Sequence, residues 1–374
     1  MLSAVVLWKK PWFRARVYQF VLVVGIIGVA GFFIHNAMNS PTIGTRGFSF
    51  AFLFEPSGFE MGENVFGVSP DDPNWKVFLA GLMNTIIVSV VAIIVCAVVG
   101  FFIALARISH RQWLSNLALL YIEINRNLPL LLHLLFWYAV CRSFPSPRHA
   151  EAVWPGIFAT NRGLVLPEFN FQATPFVWCL SVAGLILLAV GWVKREQSAR
   201  LSLNLKLCGG AALLAGVLFG TSAAWPELSG LRFRNAWIVT PEFIALLVSL
   251  AIYQSGFFAE TVRSGIMGVD RGQREAAASL GLSKARTLRL IVMPQALRIM
   301  VPPMISQFGG LIKNSSLGVL IAYPEVVRIS MAASVDTGRI VECTLIIMAS
   351  FLVINLLLSA LMTWLNKRVA FVDA

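Results

Sequence analysis

Eight long apolar stretches constrain the fold of this 374-residue chain more than any other feature. A run of about 20 apolar residues can cross the hydrocarbon core of a bilayer as a helix, because only internal hydrogen bonds satisfy its backbone there. The predicted spans are Val17–Ile34, Phe78–Ala106, Asn116–Val140, Pro175–Val193, Leu207–Ala224, Pro241–Glu260, Leu297–Ala322 and Cys343–Leu365. The sequence therefore predicts an all-α integral membrane protein with about eight spans.

The composition excludes a conventional cytosolic enzyme. Hydrophobic residues make up 57% of the chain and charged residues only 13%, against about 25% charged residues in an ordinary soluble domain. The first apolar run is too long for a signal peptide, and no A-x-A-like cleavage site follows Ile34, so we expect it to be retained as a span.

The distribution of the 30 basic residues predicts the orientation. With the N-terminus inside the cell, 19 of them lie in inner segments, nine lie in outer loops, and Arg126 and Lys313 fall within spans. Short inner loops carry the excess of Lys and Arg, so both termini are predicted to be cytoplasmic. No inner segment combines a basic block with interleaved aromatic residues, which argues against nucleic-acid binding.

Two outer loops are long, His35–Val77 and Arg142–Thr174. Both contain Pro and Gly turn signals. They are either lids or docking surfaces for an external partner, or packed connecting loops. The first loop is also acidic, through Glu55, Glu60, Glu63, Asp71 and Asp72.

The longest inner loop, Thr261–Arg298, contains the most informative local pattern. Asp270 is a plausible N-cap for a helix over Gln273–Leu280, and Gly281 is placed to end that helix. Ser283 can cap a second short helix, which we expect to end before Pro294. Small residues after Glu275 would let a partner protein approach this turn closely.

This loop resembles the coupling loop, or EAA motif, of ABC-importer permeases. Glu275-Ala276-Ala277 is followed at the family's spacing by Gly281, Ile291 and Met293-Pro294, with Met in place of the usual Leu. The resemblance implies that the loop fits a cleft in a cytoplasmic ATPase and transmits its closure to the spans. The residues to which it assigns this coupling role are Gly272, Glu275, Ala276, Ala277, Gly281, Ile291 and Pro294.

Further segments resemble polar amino acid permeases of the HisMQ type. They are Asn84-Thr85 with Val88-Ser89, Ala104–Arg107, Tyr121–Leu131, Phe258–Ile266, Pro294–Ala296 and Lys313–Leu317. Together these segments cover spans two, three and six to eight, which implies the five-span core of a type I ABC-importer permease with three added spans. Enlarged permeases of this kind are found in importers of general L-amino acids or of glutamate, glutamine, aspartate and asparagine, and the chain resembles their Q-type subunit.

The resemblance also implies a domain organisation. Residues 1–76 form an added span with a periplasmic loop, and residues 77–366 form the permease domain. That domain holds an inserted span pair at about 175–224 and the coupling loop at about 261–298. Residues 367–374 form a cytoplasmic tail.

Polar groups at membrane depth are costly and are frequently functional. Donors and acceptors for an amino acid could come from Asn314, Ser315, Ser316, Lys313, Glu123, Arg126 and Asn127. Interhelical hydrogen bonds that hold the bundle together explain the Asn and Ser residues equally well. For Glu123 and Arg126, which share a helix face, we favour a structural ion pair.

The chain has no Walker A sequence, no G-x-S-x-G elbow and no H-E-x-x-H helix. The five Cys and four His residues are dispersed, so neither a metal site nor a disulfide framework is expected. We therefore predict a non-enzymatic subunit without a cofactor of its own, with ATP and Mg²⁺ bound by a separate ATPase.

The resemblance implies a location in the bacterial inner membrane and contact with membrane lipid. The implied protein partners are a second permease subunit, most simply in a heterodimer, two cytoplasmic ATPase subunits and a periplasmic amino-acid-binding protein. The alternative from a different class is an ion-coupled secondary amino acid transporter.

Overall fold

The structure is a computed structural model that describes residues 11–38, 47–62, 66–172, 174–194, 199–230 and 232–369. Helices dominate this part of the chain. The α-helices are α1 (Pro11–Met38), α2 (Asn74–Ile108), α3 (Gln112–Asn127), α4 (Leu130–Arg142), α5 (Pro175–Val193), α6 (Ala199–Gly220), α7 (Pro241–Met267), α8 (Arg271–Ser279), α9 (Lys284–Thr287), α10 (Met293–Asn314), α11 (Val326–Thr337) and α12 (Ile340–Val369).

Short helical turns of other kinds join some of these helices. The 3₁₀ turns are Ala51–Phe54, Pro147–His149 and Ser315–Ile321. A π-helical turn, Leu288–Val292, lies between α9 and α10. Such turns are common at the ends of α-helices and at places where helices join.

Five helical segments of the described chain are long and apolar enough to cross a membrane. They are Asn74–Ile108, Pro175–Trp192, Pro241–Met267, Lys284–Ile321 and Ile340–Trp364. Two shorter apolar helices are Leu130–Arg142 and Leu201–Val217. The predicted first span, Val17–Ile34, lies inside α1.

The predicted third span, Asn116–Val140, is wrong as one continuous helix. The structure forms α3 and α4 instead, with the break at Leu128-Pro129. Pro129 precedes α4 with an extended backbone (φ −60°, ψ 138°). A proline disfavours the helical conformation of the residue before it and has no N–H for the helix ladder, which explains the break.

The prediction of an all-α chain is also wrong, because the described residues contain seven strands. They are β1 (Ala152–Trp154), β2 (Ile157–Thr160), β3 (Gly163–Phe171), β4 (Thr221–Ala224), β5 (Glu227–Ser229), β6 (Arg232–Arg234) and β7 (Ala236–Val239). β1 to β4 pair in sequence order, and β7 pairs with β3, all antiparallel. β5 and β6 form a separate antiparallel pair.

Strand β4 also shortens the predicted fifth span, Leu207–Ala224. Helix α6 ends at Gly220, and Thr221–Ala224 pairs with Phe171–Glu168 of β3. The apolar pattern of the strand residues continued that of the helix. Their hydrogen bonds, however, go to a strand about 50 residues earlier in the sequence.

The chain divides into two compact units, Met1–Asn127 with Leu250–Ala374 and Leu128–Ser249, and the second boundary lies within α7. The second unit contains the sheet and the pair α5 and α6. These two helices pack closely through glycines, since a Cβ added at Gly184 would lie 2.8 Å from Leu213 Cγ. Ser202 Oγ of α6 donates to Gly191 O of α5 at 2.7 Å.

The first unit is a helical bundle around one main apolar core. Buried residues of α2, α3, α7 and α10 meet there, including Cys96, Ile122, Phe258, Met300 and Phe308. Helices α7 and α10 approach closely at Gly265, where an added Cβ would lie 2.2 Å from Met300 Cγ. A smaller core joins the outer loop to α2, α11 and α12 through Phe52, Val77 and Ile329. Part of the first long loop is therefore packed against the bundle.

Candidate functional site

The predicted coupling turn is present as a short helix with a defined cap at each end. Asp270 caps α8, and its Oδ1 accepts a hydrogen bond from Gly272 N at 2.6 Å. Gly281 has a φ of +71°, the left-handed conformation that glycine adopts without a steric penalty. Leu282 N then donates to Ala277 O at 3.1 Å, which folds the chain back over the helix end. The predictions for Asp270 and Gly281 are confirmed.

The second helix of the loop is capped by Ser283, as predicted. The helical segment that begins there continues past Pro294 to Ile321, so the predicted end before Pro294 is wrong. Helix α9 passes into the π-helical turn, which contains Ile291, and then directly into α10, where Pro294 lies in the first turn. Proline has no N–H for the helix ladder, and the change from π-helical to α-helical geometry lies directly before it.

Exposed small and apolar groups form the surface of the turn. Glu275, Ala276 and Gly281 are exposed, whereas Ala277 is buried. Leu280, which was not among the predicted coupling residues, is 78% exposed. An exposed leucine beside alanine and glycine offers an apolar contact that a partner can approach closely.

Arg274 connects this turn to a membrane-spanning helix. Its Nη2 donates a hydrogen bond to Ile266 O, in the last turn of α7. On the other side of the loop, Gln295 Nε2 of α10 donates to Gln273 Oε1 of α8 at 3.3 Å. Helix α8 is therefore bonded to the ends of both α7 and α10. The sequence did not reveal these pairings, because they join residues eight and 22 positions apart that follow no helical spacing.

The core of the first unit extends into the loop. Val269 and Val292, which flank the coupling turn in sequence, are 4% and 3% exposed. Both belong to the same buried cluster as Ile266 and Ala296. Movement of the coupling turn would therefore also displace residues that pack inside the bundle.

Two of the predicted polar side chains at the end of α10 already donate hydrogen bonds within the chain, which limits how they can bind a solute. Ser315 is fully buried, and its Oγ donates to Ile312 O at 2.7 Å. Ser316 Oγ likewise donates to Lys313 O at 2.7 Å. Each hydroxyl can still accept a hydrogen bond. Asn314 is partly exposed, and no residue in the described ranges forms a hydrogen bond with its side chain.

Lys313 lies on a different surface of the helix. It is exposed and lines a groove of about 360 Å³ between α10 and α12, together with Ser306 and Asn355. Lys313 itself forms no ion pair with another described residue. The groove provides polar neighbours for the ammonium group within an otherwise apolar pair of helices.

The structural ion pair expected between Glu123 and Arg126 is not formed. Glu123 Oε2 accepts a hydrogen bond from Asn127 Nδ2 at 3.2 Å instead. The Arg126 guanidinium lies over the Phe257 ring, 5.3 Å from its centroid. In the described residues no hydrogen bond or ion pair links Glu123, Arg126 or Asn127 to the group around Asn314.

A second polar region, not in the predicted site, joins α2 to α11. Asn84 Nδ2 donates to Pro324 O at 2.9 Å, and Thr85 Oγ1 accepts from Val326 N at 3.1 Å. Glu325 is completely buried and caps α11 by accepting from Val327 N and Arg328 N. Burial raises the pKa of the Glu325 carboxyl to about 7. Asn84 and Thr85 belong to a segment that resembles polar amino acid permeases. Their hydrogen-bond partners are about 240 residues away in the sequence, so no local pattern indicated them.

Comparison with known proteins identifies the family to which this chain belongs. The model of the family described as binding-protein-dependent transport system inner membrane component matches residues 97–371. Amino-acid ABC transporter permease protein YhdX of Escherichia coli is 38% identical, over 97% of this chain and 96% of the relative. General L-amino acid transport system permease protein AapQ of Rhizobium johnstonii is 32% identical, over 97% and 94%.

A third relative is the glutamate/glutamine/aspartate/asparagine transport system permease protein BztB of Rhodobacter capsulatus. It is 31% identical, over 96% of this chain and 94% of the relative. A solved structure, titled as an amino acid ABC transporter with histidines, covers 78% of this chain and 94% of its own, with 24% identity and a TM-score of 0.48. None of these matches supports the ion-coupled alternative. The chain belongs to the family of binding-protein-dependent inner membrane transport components, which are ABC transporter permeases.

Proposed function

We propose that the chain is the transmembrane permease subunit of an ATP-driven importer that moves L-amino acids, polar or of broad range, across the membrane by alternating access. The observation that carries this proposal is the exposed helix and glycine turn of α8, bonded through Arg274 to the last turn of α7. The names of the three relatives, all amino acid permeases, support the substrate class.

In this account, closure of a partner ATPase moves α8 as a rigid lever. Glu275, Ala276, Gly281 and Leu280 contact the ATPase, and Gly272 holds the capped start of the helix. The Arg274 bond and the packing of Val292 transmit the movement to α7 and α10. Movement of these two spans at one end can open or close a path that they line. Alternating access requires such a change.

The substrate path is proposed to include Asn314, Ser315 and Ser316. An amide and two hydroxyl groups can form hydrogen bonds with a zwitterionic amino acid although none of them is charged. Release of the substrate therefore remains fast. No described side-chain contact joins Lys313 to the group of Glu123, Arg126 and Asn127. We assign them to the margins of the path rather than to one binding cluster.

The proposed topology has eight spans, with both termini cytoplasmic, in the bacterial inner membrane. Its support is the excess of basic residues in inner segments, together with α1 and the two shorter apolar helices in addition to the five long segments. The proposed domains are residues 1–76, the permease domain 77–366 with its insertion, and the tail 367–374.

The proposed assembly is a heterodimer with a second permease, driven by two cytoplasmic ATPase subunits and supplied by a periplasmic binding protein. The sequence has no Walker A motif, so ATP and Mg²⁺ belong to the ATPase. The family's description as binding-protein-dependent supports the external partner.

Co-purification after expression with the neighbouring genes tests this proposal. We expect a second permease and an ATPase to copurify, and ATP hydrolysis to increase when the liganded binding protein is added. A chain that purifies alone and transports amino acids without ATP would contradict the proposed function.

A further inference from the structure

The longest strand of the second unit, β3, is tied to apolar helices at both of its ends. Leu164, near its start, pairs with Val239 of β7, and α7 begins two residues after Val239. Phe171, its last residue, pairs with Thr221 of β4, which directly follows α6. Helix α5 begins four residues after Phe171, and both α5 and α7 contain segments long and apolar enough to cross a membrane. The strand, about 23 Å long between these two pairs, therefore runs along the membrane surface rather than away from it.

One face of this sheet is covered by a later part of the chain. Val165 of β3 is 1% exposed, and Pro167 on the same face is also buried. Phe158 of β2 is paired with Val165, and its ring lies 5.0 Å from the ring of Phe233 in β6, measured between centroids. The hairpin of β5 and β6 thus packs on this face.

The other face is apolar and has no such cover. Successive residues of a strand point to opposite faces, and residues directly opposite each other in an antiparallel pair share a face. Where β3 pairs with β2 and β7, this second face, here called the open face, consists of Trp154, Ile157, Ala159, Leu164, Leu166, Trp237 and Val239. Each of these residues is exposed or half-buried, and the two tryptophans are 71% and 62% exposed. No segment of the described chain buries the open face.

The size and position of the open face favour lipid over protein as its cover. Its seven side chains are few beside the roughly 20–30 residues that each partner contributes to a stable protein interface. It is continuous with a membrane span, because Val239 lies two residues before the apolar segment Pro241–Met267. Tryptophan, with an apolar ring and one polar N–H, is enriched where a membrane meets water. The hairpin on the opposite face instead exposes charged residues, Glu227 and Arg234, as expected of a side that faces water.

We propose that the open face lies in the lipid headgroup layer of the outer leaflet, so that the sheet rests on the membrane between the ends of α5 and α7. The inference goes beyond the proposed function, since it concerns lipid and neither the substrate nor the ATPase. An amphipathic element at a membrane surface buries its apolar face by about 5–10 Å. That depth takes in the rings of Trp154 and Trp237 and leaves the hairpin of β5 and β6 in water. The sheet would then hold the adjoining ends of α5, α6 and α7 at one depth.

The test measures the depth of single positions in the complete transporter, reconstituted in lipid nanodiscs. A fluorescent label is attached to the only cysteine of a complex from which all others, including the five of this chain, have been replaced by Ala. Trp154→Cys and Trp237→Cys place the label on the open face. Ile238→Cys, on the covered face of the same strand, and Leu228→Cys, on the hairpin, are the matched controls. Quenching is measured with nitroxide-labelled phosphatidylcholine and with aqueous iodide.

We expect the lipid nitroxide to quench labels at positions 154 and 237 about threefold more than labels at 238 and 228, with the reverse order for iodide. Equal lipid quenching at the four positions, or iodide quenching that is strongest at 154 and 237, would overturn the proposal. Protection of positions 154 and 237 from both quenchers would also overturn it, because the open face would then be covered by protein.

A second measurement keeps the native cysteines, in case the cysteine-free complex does not assemble. Intrinsic tryptophan fluorescence is recorded in nanodiscs of brominated phosphatidylcholine for the wild type and for Trp154→Phe with Trp237→Phe. Trp225→Phe is the control, because Trp225 is 58% exposed and lies outside the open face. The double variant should lose fluorescence that the brominated lipid quenches, and the control should lose fluorescence that iodide quenches. A double variant that loses only iodide-quenched fluorescence would place the open face in water.

Discussion

Arg274 Nη2 donates a hydrogen bond to the backbone oxygen of Ile266 and so joins the exposed coupling helix to the last turn of a membrane-spanning helix. A hydrogen bond from a charged donor is stronger than one between neutral groups. Arg274 Nε is buried without a partner in the described chain, so the guanidinium is held in place by little else. This contact links α8 directly to α7.

Replacement of Arg274 by Ala should uncouple ATP hydrolysis from uptake. Loss of the bond removes about 1.5–3 kcal/mol of interaction between α8 and α7. We expect uptake per ATP hydrolysed to fall about tenfold while hydrolysis itself persists. The measurement is paired uptake and hydrolysis in proteoliposomes. Arg271→Ala, an exposed arginine of the same helix, is the control. Equal effects of the two substitutions would contradict the role of the Ile266 contact.

Gly281 should tolerate Asn better than Val. Its φ of +71° costs a β-branched residue about 1–2 kcal/mol or more, while Asn adopts this region more easily. An added Cβ would meet no atom within 4 Å, so the effect is conformational rather than steric crowding. We expect Gly281→Val to weaken ATPase association severalfold and Gly281→Asn to change it little, as measured by co-purified ATPase. The reverse order would show that the turn geometry does not matter.

Asn314→Leu should impair uptake more than assembly. The amide forms no hydrogen bond within the described chain, so its loss removes little structural stabilisation. Asn170→Leu, the same substitution at an exposed position of β3 outside the proposed path, is the matched control. Uptake rate and the amount of assembled complex are measured in parallel. A proportional loss of complex in Asn314→Leu would favour the structural role.

Glu325 should make folding stability depend on pH. Its pKa is about 7 in the folded chain, above the ordinary value of 4.5, because the buried carboxyl is favoured in the protonated form. The folded state therefore holds an extra proton between pH 4.5 and about 7, and stability is lost as the pH rises through this window. The full loss is on the order of 3 to 4 kcal/mol, since one pKa unit is worth about 1.4 kcal/mol.

Thermal unfolding in detergent, followed from pH 5 to 8, measures this effect. Relative to Glu325→Gln, the wild type should become less stable as the pH rises, with little further change above pH 7.5. Glu60→Gln, which removes an exposed carboxyl, is measured in parallel as the control for the loss of one acidic side chain. A constant difference for Glu325→Gln, or one of opposite slope, would contradict the assignment.

Local signals predicted the coupling turn well. A cap at Asp270, a glycine at position 281 and a cap at Ser283 act over three or four residues, and each has the expected geometry. The end of the second helix was not predicted, because Pro294 is as compatible with the first turn of a helix as with its termination. Arg274 gave no local signal, since its partner is an oxygen of another helix.

Features that depend on distant partners were not predictable. Strand β3 pairs with β4 and β7, which lie after helices α5 and α6 in the sequence. The sequence of β3 therefore contained no local pattern that favoured a strand over a loop. The apolar run Asn116–Val140 suggested one span, although Pro129 was visible in it. The hydrophobicity of a segment indicates that it lies within the membrane, but it does not show that the segment forms one continuous helix.

ATP-dependent uptake by the reconstituted transporter tests whether the chain is part of an ATP-driven importer. Proteoliposomes containing the permease pair and its ATPase are given labelled amino acid and liganded binding protein outside, with ATP, a non-hydrolysable analogue or only an ion gradient supplied. We predict accumulation with internal ATP alone, and its loss when the ATPase is omitted. Accumulation driven by the ion gradient without ATP would contradict it.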